Sequence, residues 1–149
     1  PFWLHALERE GSHELTSSAE FPGAIPDLLV TTETLIEEHP EQVQALVNTW
    51  FDILKFMEEN PERSDEIMAK RADIDIEQFQ LFKDGTKMFT IEDNLEAFRE
   101  GNSMKHMPYA AETMTDFMLN VNFISKKPDL KAIFNDRFVQ AYARESGAN

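Results

Sequence analysis

Four histidines, His5, His13, His39 and His106, are the side chains of this sequence best suited to metal binding or proton transfer. No two of them stand four residues apart, the spacing that sets a pair of imidazoles on one helix face around a metal. They read as solvated surface side chains. Glu10 and His13 form one Glu-x-x-His, but di-iron bundles need two copies and further inward-facing glutamates, and Gly11 interrupts the single copy. The acidic stretch from Glu33 to Glu38 has no Asp-x-Asp-x-Asp-Gly loop beside it and reads as a solvated helix face. No metal is expected.

Nucleophilic and phosphate chemistry are equally unsupported. The chain has no cysteine, which excludes disulfides, thiolate zinc sites and Cys nucleophiles. Its five glycines lie far apart, so there is neither a phosphate-cradling loop nor a Gly-x-Ser-x-Gly elbow. No catalytic residue and no cofactor are expected, and the chain reads as a non-enzyme. Met104, Met107, Met114 and Met118 suit a core better than a promiscuous groove. Trp50 falls on an apolar stripe, whereas Trp3, beside a proline in the first turn, could face a ligand.

Positioning any such side chain requires a fold, and 149 residues suffice for one ordinary core, 1–149 being read as a single unit. With 42% hydrophobic residues and 12 Phe, the chain has apolar area enough to offset the entropy of ordering. The net charge of −14 would repel a phosphate backbone or an anionic bilayer, which argues against nucleic-acid and lipid-surface roles. No run approaches the ~20 apolar residues that span a membrane. The abrupt opening Pro1-Phe2-Trp3 is expected of a fragment, with any export signal upstream.

The elements follow from periodicity and punctuation. Residues 2–9 suit a short helix closed by Gly11; His13 to Ser17 and Leu28 to Thr32 suit short strands, separated by the loop Phe21-Pro22-Gly23-Ala24-Ile25-Pro26-Asp27. From Pro40 the apolar spacing turns helical, with Val43, Leu46, Val47, Trp50, Leu54 and Met57 expected on one core face. Asn60-Pro61 breaks that helix and opens another. Asp75 with Gln78 caps a third, ending at Gly85. Later helices present Ile91, Leu95 and Phe98; then Ala110, Met114, Phe117, Met118 and Val121; then Phe138, Val139 and Tyr142. The chain is thus expected to be mainly α with two or three short strands.

Several segments, in order, resemble the C-terminal part of solute-binding proteins of the nitrate, sulfonate, taurine and thiamine-precursor class of ABC importers. They are Pro1-Phe2-Trp3, Ser17-Ser18-Ala19-Glu20-Phe21-Pro22-Gly23, Ile25-Pro26-Asp27-Leu28-Leu29-Val30, the stretch from Glu37-Glu38-His39-Pro40 to Val47, Asn60-Pro61-Glu62 and Glu92-Asp93-Asn94-Leu95. The chain departs from that pattern at Ala72-Asp73-Ile74-Asp75, where the family often has a glycine.

The resemblance implies an α/β parent fold, the two-lobed periplasmic-binding-protein type II architecture. Residues 1–27 would close the second lobe and hinge loop, and residues 28–149 would supply a crossing strand and helices packed on the first lobe. It implies capture of a small anionic or zwitterionic solute, with Pro1, Phe2, Trp3, Ser17, Ser18, Ile25, Pro26 and Asp27 as ligand-binding candidates. The implied partners are the solute, a membrane ABC permease and a missing N-terminal lobe, in the periplasm and anchored, if at all, by lipid at the missing N-terminus. Self-association of the chain is a further expectation. Two other functions fit the same residues: a ligand-sensing regulatory domain on that scaffold, and a helical interaction module.

Overall fold

A computed structural model describes residues 2–21 and 23–147, with Phe2, Trp3 and Leu4 described by backbone alone. Eight α-helices make up its regular structure: α1 (Phe2–Leu7), α2 (Glu33–Glu38), α3 (Pro40–Glu59), α4 (Pro61–Ala72), α5 (Ile76–Asp84), α6 (Ile91–Phe98), α7 (Met107–Asn120) and α8 (Arg137–Ser146). A 3-10 turn covers Ser18–Glu20. None of the described helices is long and apolar enough to cross a membrane.

Local chemistry explains most boundaries. The Thr32 hydroxyl accepts the Leu35 amide at 3.2 Å and starts α2. His39 is the joint to α3: its N–H closes on the Leu35 carbonyl and its carbonyl accepts the Gln42 amide, each at 3.0 Å. Asn60 breaks the next turn, but not as a side-chain cap. Its amide group donates back to the Phe56 carbonyl at 3.2 Å, and Pro61, needing no N–H partner, opens α4. Asp73 ends α4 in the left-handed conformation, φ 57° and ψ 43°, with its N–H on the Ala69 and Lys70 carbonyls. The Asp75 carboxylate accepts the Gln78 amide at 2.8 Å and starts α5.

The chain forms two compact units. The first holds residues 1–15 and 48–90, and the second residues 16–47 and 91–149. In the first, α4 packs on α5, with Ala69 and Phe79 buried. In the second, α6 packs against both α7 and α8, and Ala97, Ala110, Phe138, Val139 and Ala143 are buried. The start of α8 is tied down by polar groups: the Arg137 guanidinium donates to the Ile36 carbonyl at 2.8 Å, and the Gln44 amide donates to the Phe138 carbonyl at 3.0 Å. Burying a side chain such as Phe138 or Val139 contributes about 1.5–3 kcal/mol.

Two expectations are corrected. The described residues are 60% helical with no strand, so neither the α/β architecture nor the two or three short strands are present. His13–Ser17 and Leu28–Thr32 run as irregular backbone. The Leu28–Thr32 sequence has strand composition, but a strand is stabilised by a ladder to a neighbour, and no described segment pairs with it. On α3 the buried row is Val43, Val47 and Phe51, while Leu46 and Trp50, 53% and 47% exposed, lie off it.

Candidate functional site

The Ser17–Asp27 segment starts with a compact polar turn. Glu20 gathers two donors on one carboxylate oxygen, the Thr16 hydroxyl at 3.0 Å and the Ser17 amide at 3.4 Å. The Glu20 and Phe21 amides then bond the Ser17 and Ser18 carbonyls, and the Ala24 amide bonds the Phe21 carbonyl at 3.0 Å. Beyond Gly23 the chain leaves regular structure, and its apolar side chains are left open: Ile25, Leu28, Leu29 and Val30 are 80, 56, 60 and 80% exposed.

Of the ligand-binding candidates, Pro1 lies outside the described residues, and Phe2 and Trp3 fall on α1 in the first unit with only their backbone described. Ser17, Ser18, Ile25, Pro26 and Asp27 share one stretch of the second unit. Ser17 is half-buried, and Ser18, Ile25, Pro26 and Asp27 are exposed.

A second polar cluster lies in the same unit, and no sequence spacing groups all of its members. The His106 ring is 15% exposed and holds a partner on each nitrogen: Ser103 Oγ lies 3.1 Å from Nδ1, and Glu96 Oε1 lies 3.2 Å from Nε2. A carboxylate only accepts, so Nε2 carries the proton, and in the neutral ring Nδ1 accepts from the Ser103 hydroxyl. The other Glu96 oxygen takes the Arg99 guanidinium at 2.9 Å. Glu96 and Arg99 also border an open depression with Glu92, Asp93 and Leu95. His106 is therefore not the solvated surface histidine its sequence position suggests, whereas His5 and His39 are well exposed.

Ser, His and Glu are the residue types of a nucleophilic triad, but their order here differs. The serine meets Nδ1 and the carboxylate Nε2, through a local turn in which the His106 amide also bonds the Ser103 carbonyl at 3.0 Å. Such a string holds a loop. The signal available in the sequence was Gly101-x-Ser103-x-x-His106 ahead of Pro108; the part no spacing rule supplies is Glu96, from the preceding helix.

One cluster of charged groups outside these two segments pairs structurally. Lys127 bonds Glu112 and Asp116 of α7, whose carboxylates, Glu112 foremost, hold its ammonium above the usual lysine range. Among the described residues no group of His, Asp and Glu is arranged to hold a metal ion. No family model matches the sequence, and neither a curated protein nor a solved structure matches the chain.

Proposed function

We propose that this chain supplies a helical wall of a solute receptor resembling the nitrate, sulfonate and taurine class, which captures a small anionic or zwitterionic molecule without covalent chemistry and presents it to an ABC permease outside the cytoplasm. The observation that supports this reading is the irregular Ile25–Val30 segment, whose apolar side chains Ile25, Leu28, Leu29 and Val30 are 80, 56, 60 and 80% exposed. Neighbouring apolar side chains left more than half exposed form a patch that suits a covering surface. The proposed cover is a preceding lobe of the same receptor, which would bring the facing wall of the site. The polar groups of Ser17 and Ser18 ahead of that run, and of Asp27 within it, would meet the solute.

A cleft site draws contacts from both walls, and each lost hydrogen bond to a charged solute costs about 1.5–3 kcal/mol. Calorimetry with nitrate, taurine, alkanesulfonates and pyrimidines, run in parallel on the 149-residue chain and on the full-length protein, tests the reading. Binding by the full-length protein alone is the expected result. Micromolar binding by the chain alone, or none by either, would overturn it.

A second reading rests on a separate observation. Helix α7 exposes Met114 and Phe117, and its C-cap Val121, at the spacing of one helix face, and helices are the main regular structure of the described residues. That face suits a helical interaction module. Loss of solute binding in the full-length protein together with a defined protein complex through α7 would favour it.

A further inference from the structure

We infer that Glu96, His106 and Ser103 form a latch that holds the Ser17–Asp27 segment in place, with His106 as its positioning residue. The inference rests on the reading above that this segment meets the solute, and it names what fixes the segment's conformation.

The latch begins at Gly101. A methyl group there would stand 2.2 Å from His106 Nδ1 and 2.3 Å from its Cγ, so only glycine lets the ring lie on the backbone. The ring is then pinned at both nitrogens, to Ser103 and to Glu96, which fixes the loop of residues 99–106 against α6. Met104 lies inside that loop, and its carbonyl faces Gly23. A methyl group on Gly23 would meet the Met104 carbonyl oxygen at 2.5 Å, its carbon at 3.1 Å and Lys105 Cα at 3.2 Å. Gly23 also holds φ at +85°, open to glycine at little cost. Backbone therefore lies on backbone, with Gly23 seated on residues 104 and 105. The ring of His106 keeps that seat in position.

Amide hydrogen exchange on the 149-residue chain at fixed pH, with no solute present, reads the latch directly. The reporters are the amides of Glu20, Phe21 and Ala24, whose acceptors are the carbonyls of Ser17, Ser18 and Phe21. In His106→Ala these amides are expected to exchange roughly tenfold faster, about the effect of one lost hydrogen bond. The Phe79 amide, bonded to the Asp75 carbonyl in the other unit, should keep its rate. His106→Gln, which retains a donor toward Glu96, should return the reporters to within about threefold of the parent rate. A purely structural loss would not be rescued in this way.

Gly23→Ala approaches from the other side and should accelerate the same amides while the ring stays bonded. Ser103→Ala, which removes one link and leaves the ring, gives a milder variant should His106→Ala fail to fold. Unchanged reporter rates in a folded His106→Ala or Ser103→Ala protein, or equal acceleration of every amide in α7 and α8, would overturn the inference. Because no solute enters the measurement, its outcome is separate from the calorimetric test of the receptor reading.

Discussion

Lys83 on α5 holds both carboxylate oxygens of Asp65 on α4, at 2.8 and 2.9 Å. The two partners differ in burial: the Asp65 side chain is 9% exposed and that of Lys83 40%. Removing the lysine strands a buried charge, whereas removing the aspartate frees an ammonium that water reaches. Lys83→Met should cost about 1–3 kcal/mol, a value reduced for the exposure of the lysine, and Asp65→Ala under about 1 kcal/mol. Urea melts of both variants test the order. Equal or reversed costs would show that the pair does not fasten α4 to α5.

The rows of α3 make a sharper comparison. Phe51 is buried and Leu46 is not. Phe51→Ala should cost about 3–5 kcal/mol, and Leu46→Ala under about 1 kcal/mol. If denaturant midpoints move by the same amount, the assignment of the buried row fails.

That outcome also shows what a sequence withholds. From Leu46 to Met57 the helix carries Leu46, Val47, Trp50, Phe51, Ile53, Leu54, Phe56 and Met57, apolar nearly all round. Periodicity identifies the helix but does not choose among rows that are all apolar. Helix starts and stops were more legible: Asn60-Pro61, Asp75 with Gln78, and Gly85 act through neighbours within a few residues, and α4 and α5 begin or end there. Leu28–Thr32 shows the opposite case, because strand formation depends on a partner that no local spacing describes. His106 was misplaced for a related reason. Its serine is three residues away, but its burial and its glutamate come from the turn that returns the chain to α6.

The Lys127 clamp carries a pH dependence. Its ammonium is held above the usual lysine value of 10.5 by hydrogen bonds to Glu112 and then Asp116. A folded-state value that is raised means a contribution complete below 10.5 and lost as pH climbs through the higher folded value. The methyl shifts of Ile124, whose amide bonds the Met118 carbonyl at 3.3 Å, should titrate above 10.5 in the parent and stay flat in Lys127→Met. High salt should weaken the clamp at any pH below that range, since it lies at the surface. Identical curves for the two proteins would defeat the assignment.

Helix α7 predicts association. With Met114 and Phe117 of the helix and Val121 at its C-cap 50, 65 and 52% exposed, self-association at high concentration is the expected way to cover the face. Sedimentation should show a mass that rises with concentration in the parent and a monomer in Phe117→Glu. A parent that stays monomeric throughout would count against it.

The left-handed Asp73 that ends α4 stands where many helices place glycine. For a non-glycine residue this conformation costs on the order of 1 kcal/mol, yet a glycine there would widen the ensemble of the unfolded chain and forfeit a comparable amount of entropy. The two effects nearly cancel for Asp73→Gly, so folding stability exerts little pull at this site in either direction. A β-branched residue has no such compensation, since it adds the clash without the freedom. The junction between α4 and α5 should accordingly accept Asp73→Gly with little change in stability and lose stability with valine or isoleucine.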